Sequence, residues 1–484
     1  MKNLNELSLL QAREGLLAKS FTASELLEAT FKRMDQVEPL ISSCITILRE
    51  KAFSTAAELD KLGPDPAKGL WGIPVTVKDV FLTKGAPTTA GSKILQNYFP
   101  GFEATVVTRL KAQGAVIVAK TNLDEFAMGS STEFSAYKVT RNPWNLERVP
   151  GGSSGGAAAG ISAMEVAGAF GTDTGGSIRQ PAALCGCVGL KPTYGRVSRY
   201  GIVAYGSSLD QAGPLARSVK DCGALLAAVA GPDGKDSTSS QIPLEDYLNL
   251  SPPDPKKITL ALPRELWEGK FDPSVKEVLD SALQKIEEAG IGLKKINMKH
   301  LPYSVATYYI LAAAEASTNL ARYDGVRYGV RDPGDGDLLS LYKSSRTHGF
   351  GKETRRRILL GTFALSSGYY DAYYKKAAQV RRLIGEDFNE ALGQADFILA
   401  PVSSISAWPF GSFTEDPLTQ YQLDIMTLPL NLYGGAGLSL PAGLGGDGLP
   451  VGIQVTSRPF KEKSLLEMGT LLEEIFPSLP HPPI

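Results

Sequence analysis

The chain has 484 residues, enough to bury a large core, and its 43% hydrophobic and 21% charged content is typical of a globular protein. Its 50 lysine and arginine residues balance 51 aspartate and glutamate residues, so the formal net charge of -1 excludes a basic field over the whole chain that would recruit nucleic acid. The sequence contains neither an apolar stretch of about 18 residues nor an apolar signal segment near the N-terminus, so we expect a cytoplasmic protein without a membrane span.

The four cysteines, Cys44, Cys185, Cys187 and Cys222, form no C-x-x-C pair and show no spacing typical of a metal site. In a cytoplasmic protein such residues stay reduced. We therefore expect four buried or half-buried free thiols and no bound metal.

The first predicted elements are a helical N-terminal segment and then alternating strands and helices. Within the helical segment, 1–60, Thr22 and Glu25 form a capping box before an apolar run with helical spacing. The elements predicted next are a strand at 72–77, a helix at 104–113, and strands at 115–119, 258–262, 397–400 and 451–455. This alternation favours an α/β protein in which helices cover a sheet.

Three later segments have a composition of their own. Residues 231–257 are rich in proline, aspartate and serine, which predicts a surface excursion between two parts of one sheet. Residues 328–351 are interrupted by glycine and proline, and we expect a mobile loop there. Residues 369–386 predict a helix whose apolar, partly aromatic face lies in the core. The residues of that face are Tyr369, Tyr373, Ala377, Val380 and Ile384.

The densest signal is a pair of glycine- and serine-rich strings, PGGSSGGAAAG at 150–160 and AFGTDTGGSIRQPAALCG at 169–186. Glycine-serine runs are usually flexible linkers. Here, however, apolar segments flank the strings closely and no acidic or proline-rich spacer isolates them. Because glycine lets the backbone approach a ligand and direct N–H groups towards it, the strings indicate a binding or catalytic site.

Two familiar chemistries fit these strings poorly. A phosphate-binding loop requires Gly-x-x-x-x-Gly-Lys-Ser/Thr, which is absent. A nucleophile elbow, Gly-x-Ser-x-Gly, is matched around Ser153 and around Ser154, but that mechanism needs a histidine base. The only histidines are His300, His348 and His481. The elbow therefore stays open as a weak alternative.

A third chemistry uses a lysine as the base, and Lys78 is the candidate. It closes the apolar string GIPVTV beside Asp79, so we expect it to point from a strand end into the mouth of the sheet. Burial disfavours the charged form of a lysine and so leaves it able to accept a proton. Serine–lysine pairs are an established variant of the serine–histidine triad.

The strings GIPVTVKD, GGSSGGAAAG and GTDTGGSIRQPAALCGCVGLKPTYGRVS together resemble the amidase signature family. The resemblance implies one α/β domain over 1–484, with a signature core at about 70–215 and a large mixed β-sheet covered by helices on both faces. It also implies a Ser-cisSer-Lys triad. In that triad Ser177 is the nucleophile that carries an acyl-enzyme, Ser153 is a bridging serine held by a cis peptide, and Lys78 is the base.

Other residues of the signature strings receive supporting roles from the resemblance. Ser154 would hydrogen-bond behind the triad, and Asp173 and Arg179 would hold the site in shape. Backbone N–H groups would bind the oxyanion of the tetrahedral intermediate, because glycines permit a tight turn around it. The residues predicted to supply these N–H groups are Thr174, Gly175, Gly176 and Ser177.

Within that family, strings outside the core resemble the glutaminase chains of bacterial glutamyl-tRNA(Gln) amidotransferases: TNLDEFAMGSSTE, EASTNLARYDGVRYG, RRRILLGTFALSSGYYDAYYKKA and LPVGIQV. The resemblance implies a glutaminase in a heterotrimer with B and C subunits. Its ammonia would pass to the B subunit, which uses ATP and Mg²⁺ to amidate Glu-tRNA(Gln) or Asp-tRNA(Asn). The tRNA would be bound through the complex, and this chain would need no metal or organic cofactor.

A glutamine site needs partners for an α-carboxylate and an α-ammonium, and the resemblance supplies candidates for both. Arg357 would bind the carboxylate, Asp424 the ammonium, and Tyr308 would line the pocket. The choice of one arginine among the three at 355–357 stays open.

Two other functions remain as alternatives. A free-standing amidase of the same family would act on another carboxamide and would need no partner. An inactive scaffold would only assemble with partners, but the intact Lys78, Ser153 and Ser177 argue against it.

Overall fold

The computed structural model describes residues 3–484, so the first two residues of the predicted helical segment 1–60 lie outside it. This part of the chain contains eleven strands: β1 Cys44–Ile47, β2 Pro74–Lys78, β3 Val116–Thr121, β4 Gly168–Asp173, β5 Val188–Lys191, β6 Gln211–Ala216, β7 Thr259–Pro263, β8 Gly292–Ile296, β9 Phe397–Pro401, β10 Gly437–Leu444 and β11 Pro450–Thr456. It also contains sixteen α-helices: α1 Leu9–Leu17, α2 Ala23–Ile41, α3 Arg49–Leu62, α4 Thr105–Ala112, α5 Gly155–Ser162, α6 Arg179–Cys185, α7 Val219–Val229, α8 Arg264–Trp267, α9 Pro273–Glu288, α10 Ser304–Asn319, α11 Leu338–Gly349, α12 Lys352–Leu365, α13 Lys376–Gln394, α14 Pro417–Leu423, α15 Leu428–Tyr433 and α16 Glu462–Ile475.

All eleven strands form one mixed sheet in the order β1-β3-β2-β4-β6-β5-β10-β11-β9-β7-β8. Helices cover both of its faces, as neighbouring residues of β10 illustrate, because successive side chains of a strand point to opposite faces. A Cβ added to Gly437 would lie 2.3 Å from Leu430 of α15, whereas the side chain of Leu438 comes within 2.2 Å of a Cβ added to Gly469 of α16. The predicted α/β fold, a large mixed sheet covered by helices, is confirmed.

The middle of the sheet positions the segments that carry the signature strings. Strand β2 pairs in parallel with β4, so their carboxyl-terminal residues, Lys78 and Asp173, lie at the same edge of the sheet. The first string leads into α5 at Gly155, and the second leads from β4 into α6 at Arg179. Every residue of these two short helices is buried, which fixes both strings in the interior.

Most of the predicted elements are confirmed within a few residues. The strands predicted at 72–77, 115–119, 258–262, 397–400 and 451–455 are β2, β3, β7, β9 and β11, and the helix predicted at 104–113 is α4. The capping box opens α2, since the N–H groups of Thr22 and Glu25 donate to each other's side chains. Segment 1–60 also contains β1, an edge strand that pairs antiparallel with β3 and that the sequence did not predict.

The prediction of a mobile loop over 328–351 is wrong for its second half, where α11 forms. The carboxylate of Asp337 caps this helix by accepting the N–H of Ser340 at 2.8 Å. Leu341 and Ser345, one turn apart, are buried against the rest of the protein. A helix therefore forms here because one cap and a narrow buried stripe outweigh the glycines and proline that precede it.

The helix predicted at 369–386 is present, but the prediction that its aromatic face lies in the core is wrong for the first half. Ala377 and Ile384 of α13 are buried. Tyr369 and Tyr373 are 45% and 41% exposed, and a π-helical turn, not α13, contains the second of them. Tyrosine can occupy such a position because its ring packs on neighbouring rings while its hydroxyl stays in water.

Three smaller expectations can also be compared with the structure. All four cysteines are free and buried, as predicted. The predicted excursion 231–257 follows α7 and contains no strand or α-helix before β7, only a 3-10 turn at Pro255–Lys257. No helix within residues 3–484 combines the length and the apolar character that crossing a bilayer requires.

Candidate active site

Lys78 lies at the centre of a buried hydrogen-bond network. Its Nζ donates to Ser153 Oγ at 2.8 Å, to Ser154 Oγ at 2.9 Å and to Thr172 Oγ1 at 3.0 Å. The side chain is completely buried, and it reaches these oxygens because it leaves the end of β2 beside β4. Ser154 in turn donates to the carbonyl of Thr172 at 3.2 Å. The three hydroxyls therefore hold the amine in one orientation, with Ser153 as its shortest contact.

The environment of Lys78 favours its neutral form. Burial lowers its pKa to about 7, against the opposing effect of the carboxylates of Asp124, Asp173 and Asp210. No carboxylate lies within hydrogen-bond distance of its Nζ in residues 3–484, because the three acceptors are hydroxyls. A large fraction of Lys78 is therefore able to accept a proton near neutral pH.

The first glycine-serine string approaches the site through a cis peptide between Gly152 and Ser153. The N–H of Gly152 donates to Gln180 Oε1 at 2.9 Å, and the Gln180 amide donates to the carbonyl of Ser130 at 2.9 Å. A Cβ on Gly156 would lie only 2.3 Å from a backbone carbonyl oxygen, so only glycine fits there. The string is therefore a rigid, packed segment and not a linker.

Ser177 stands at the wall of a small cavity and is 7% exposed. Its carbonyl accepts the N–H of Ser154 at 3.2 Å, which ties the two strings together. Among residues 3–484 its hydroxyl forms no hydrogen bond, so the predicted contact from Ser177 to Ser153 is absent from this arrangement. The residues that line the cavity are Ala127, Gly129, Ser130, Gly152, Gly175, Gly176, Ser177, Gln180, Tyr308, Tyr309, Arg357, Asp424 and Thr427.

The four N–H groups predicted to bind an oxyanion are not equivalent. The N–H of Gly176 donates to Asp173 Oδ1 at 2.8 Å in this arrangement, so its role at the oxyanion stays a prediction. The N–H groups of Thr174, Gly175 and Ser177 have no hydrogen-bond partner within residues 3–484. A glycine is required at position 176 for two reasons. Its φ is +125°, and an added Cβ would lie 2.1 Å from Thr427 Oγ1.

Asp173 and Arg179 form a buried ion pair beside the turn that carries Ser177. The guanidinium donates to both carboxylate oxygens, at 3.0 and 3.1 Å, and further to Gln454 and Asn431, each at 2.7 Å. Burial acts to raise the pKa of Asp173, but Arg179 outweighs it and brings that pKa to about 2. Asp173 also accepts the N–H of Ile178 at 3.2 Å, so the pair fixes the turn that presents Ser177.

Arg357 is the only one of the three adjacent arginines that reaches the cavity, since Arg355 is exposed and Arg356 is half-buried. Its Nε donates to Glu353 at 2.8 Å and one terminal nitrogen donates to the hydroxyl of Tyr205 at 2.8 Å. The geometry therefore selects Arg357 among 355–357 as the cation of the pocket.

Asp424 faces the same cavity. It accepts Ser130 Oγ at 2.8 Å and the hydroxyl of Tyr309 at 2.8 Å. Burial raises the pKa of Asp424 to about 6, so its carboxylate is charged at neutral pH and protonated in mild acid. Tyr308 packs over Gly175, where its ring would lie 2.7 Å from an added Cβ. The cavity thus brings a serine, a cation and an anion together.

The histidine alternative has no support in the geometry. His300 contacts Asp387 at 2.8 Å and His348 contacts Asp332 at 2.8 Å. None of the histidines hydrogen-bonds Ser153 or lines the cavity in residues 3–484. The nucleophile-elbow hypothesis therefore lacks its base.

Four cavity residues with polar side chains were not predicted from the sequence: Ser130, Gln180, Tyr309 and Thr427. Gln180 and Thr427 brace the two strings, since the latter donates to the carbonyl of Gly175 at 2.7 Å. Gln180 lies one helical turn after Ser177 and could have been found from that spacing. Ser130 lies in the string TNLDEFAMGSSTE, which was noted only for its resemblance, whereas Tyr309 and Thr427 come from distant segments and carry no local signal.

A buried lysine among serine hydroxyls, beside a cavity with free backbone N–H groups, has the groups that acyl transfer requires. The family model described as Amidase matches residues 25–466, and the chain belongs to that family of enzymes. Within the family it is 53% identical to the A subunit of the glutamyl-tRNA(Gln) amidotransferase of Oleidesulfovibrio alaskensis, over 96% of each chain. It is 51% identical to the protein of that name from Nitratidesulfovibrio vulgaris, over 100% of this chain and 99% of the relative.

Solved structures give the same picture. The crystal structure of the corresponding glutamyl-tRNA(Gln) amidotransferase chain from Thermotoga maritima is 40% identical, with a TM-score of 0.81 over 100% of this chain and 98% of that one. The native peptide amidase from Stenotrophomonas maltophilia is 29% identical, with a TM-score of 0.83 over 99% of this chain and 98% of that one. The fold is therefore common to the family, while the higher identity lies with the amidotransferase chains.

Proposed function

We propose that this chain is the glutaminase subunit of a cytoplasmic tRNA-dependent amidotransferase, in which it hydrolyses glutamine and supplies the ammonia. The observation that carries the proposal is the buried Lys78, whose Nζ lies 2.8 Å from Ser153 Oγ behind a cavity that Ser177, Arg357 and Asp424 share. The base, the nucleophile and two oppositely charged groups are what cleavage of an amino-acid amide requires.

The chemistry follows from the residues present. Neutral Lys78 takes the proton of Ser153, which takes that of Ser177, and the Ser177 oxygen attacks the amide carbon. The N–H groups of Thr174, Gly175 and Ser177 bind the resulting oxyanion. The relay returns a proton to the nitrogen, the C–N bond breaks, and ammonia leaves an acyl ester on Ser177. Water then adds through the same relay, which releases glutamate.

One link of this relay must form when substrate binds. The Lys78–Ser153 contact is already present at 2.8 Å, whereas Ser177 does not hydrogen-bond Ser153 within residues 3–484. Catalytic hydrogen bonds often tighten only in the substrate complex. We therefore place the closure of the Ser153–Ser177 contact at the moment when the amide enters the cavity.

The two charged groups of the cavity support glutamine as the substrate. Arg357 offers a guanidinium to the α-carboxylate, and a charged Asp424 offers an acceptor to the α-ammonium. Tyr308 covers Gly175 and so closes one wall of the cavity. An amide without an ammonium would leave the buried carboxylate of Asp424, which within residues 3–484 accepts only hydroxyl groups, without a cationic partner, and this favours an amino-acid amide over an apolar one.

The proposed partners follow from the relatives, which are named as subunits of an amidotransferase. We propose a heterotrimer with B and C subunits, in which the B subunit uses ATP and Mg²⁺ to amidate glutamate on tRNA(Gln), or aspartate on tRNA(Asn). The formal charge of -1 supports binding of tRNA through the complex, not through this chain alone. We propose no metal or organic cofactor for the glutaminase step itself.

Ammonia release from glutamine and from asparagine, with and without added B and C subunits, tests the proposal. We expect a preference for glutamine and a rate that rises when the partners are added. Cleavage of unrelated carboxamides only, at a rate indifferent to the partners, would instead establish a free-standing amidase.

Two glutamine analogues test the assignment of the charged groups. Arg357→Ala should lower kcat/KM at least about 10-fold for glutamine and for glutaramate, which lacks the ammonium, but not for 4-aminobutanamide, which lacks the carboxylate. Asp424→Asn should show the opposite selectivity, with losses for glutamine and 4-aminobutanamide only. Arg355→Ala, on the exposed face of the same helix, is the matched control. Equal losses on both analogues would contradict the assignment.

A further inference from the structure

The guanidinium of Arg357 is held on several sides within the protein. Its Nε donates to Glu353 Oε1 at 2.8 Å, one helical turn earlier on α12. Its central carbon lies 5.7, 5.1 and 5.3 Å from the ring centres of Tyr205, Tyr309 and Tyr421. The three rings attract the cation without fixing its rotation about the hydrogen bond that it donates to the hydroxyl of Tyr205 at 2.8 Å. The directed contact with Glu353 supplies that orientation.

Glu353 is 3% exposed and connects both charged groups of the cavity. The oxygen that accepts Arg357 also accepts the hydroxyl of Tyr421 at 2.5 Å. The ring of Tyr421 stacks on that of Tyr309 at 3.9 Å, and Tyr309 donates to Asp424 at 2.8 Å. A single carboxylate thus lies behind the guanidinium and, through two tyrosines, behind the anion.

Pairing of a glutamate and an arginine four residues apart is also common as a helix-stabilising contact on surfaces. Burial makes this pair different, because removing two charges from water costs about as much as their attraction returns, so such a pair contributes little net stability. Arg357 moreover lines the cavity, and Glu353 also contacts Arg356 through its other oxygen. Orientation of the cavity-facing cation is therefore the better explanation of the pair.

We propose that Glu353 is the positioning residue that orients Arg357 and so sets the preference of this enzyme for amides that carry a carboxylate. This inference rests on the proposed function, since it assigns Arg357 to the carboxylate of glutamine. Loss of the Glu353 charge leaves Arg357 attracted to the rings and held by its single hydrogen bond to Tyr205, about which the guanidinium can turn. This weakens its contact with the substrate and leaves the serines and Lys78 untouched.

The test uses the chain in its complex with B and C subunits and compares glutamine with 4-aminobutanamide. For Glu353→Gln we expect kcat/KM to fall about 10-fold for glutamine, mainly through KM, and to change less than about 2-fold for 4-aminobutanamide. Tyr421→Phe removes one hydrogen bond to Glu353 and keeps the stacked ring, so we expect a loss of about 3-fold for glutamine alone. The control is Glu386→Gln, which removes an exposed pair with Arg382 at the same helical spacing.

Equal losses on both substrates, or no loss on glutamine, would overturn the positioning role. If Glu353→Gln does not fold, Tyr421→Phe gives the answer by the same criterion. A wild-type enzyme that prefers 4-aminobutanamide to glutamine would refute the proposed function itself. That outcome is visible before any variant is measured, so the two failures remain distinct.

Discussion

Ser177→Ala is expected to abolish ammonia release from glutamine, with a loss of at least about 1,000-fold in kcat. The substitution removes the oxygen that we assign to the acyl ester and leaves the fold intact, because the Ser177 hydroxyl has no hydrogen-bond partner within residues 3–484. The measurement is ammonia release by the complex under saturating glutamine, together with mass spectrometry of enzyme quenched during turnover. Wild type should carry the added mass of a glutamyl ester, and Ser177→Ala should not.

Ser162→Ala is a matched control for that experiment. Ser162 has the same 7% exposure as Ser177 but lies at the far end of α5, outside the cavity. It should keep the wild-type rate. Full activity of Ser177→Ala, with loss on replacement of Ser153 or Ser154, would reject the proposed triad and return the nucleophile to the first glycine-serine string.

The sequence predicted the part of the fold in which local pattern and tertiary position agree. Strand β2 reads as an apolar run that ends in a lysine, and both features could be recognised without neighbours. The position of Lys78 at the end of this strand follows directly. Its contact with Ser153 does not, because that contact depends on the packing of α5 and the string before it against β2. Only the family resemblance connected the two residues in advance.

Four of the six missed strands, those at the centre of the sheet, share a composition that argues against strands. The central strands β4, β5, β6 and β10 read GAFGTD, VGLK, QAGPLA and GLSLPAGL, and they are rich in glycine, alanine and proline, which are poor strand formers. They form strands because neighbouring strands on both sides supply their backbone hydrogen bonds. Their small residues also let helices pack closely on the sheet. Gly452 of β11 shows the same close approach, with Ala183 of α6 only 2.4 Å from an added Cβ. Such packing cannot be recognised from local propensity.

The candidate site divides in the same way. Lys78, Ser153 and Ser177 belong to strings dense enough to carry a family resemblance. Tyr309 lies on α10 and Glu353 on α12, and the sequence around each of them does not distinguish it from an ordinary helix residue. Their importance emerges only when the fold brings both helices to one cavity, because single polar residues far apart in sequence carry no mutual signal.

The acid limb of the pH–rate profile should report the protonation of Lys78. Burial lowers its pKa to about 7, well below the value near 10.4 of an unperturbed lysine. The base must be neutral, so kcat/KM should rise with pH through about 7 and fall about 10-fold per pH unit below it. The profile should be measured with glutaramate, because this substrate lacks the ammonium that Asp424 would bind. Asp424 has a pKa of about 6, and with glutaramate its titration leaves the profile unaffected.

Lys78→Met tests whether that limb belongs to the proposed base. The variant keeps an unbranched side chain of similar length but cannot accept a proton, so we expect a loss of at least about 1,000-fold in kcat and a residual rate without the limb. Lys191 serves as the control, because it is equally buried and burial lowers its pKa to about 7. Within residues 3–484, however, its amine donates only to backbone carbonyls, at 2.5 and 3.0 Å. Lys191→Met should therefore keep the acid limb even where it lowers the thermal unfolding midpoint. If the limb disappeared in Lys191→Met and survived in Lys78→Met, the proton acceptor would not be the lysine at the end of β2.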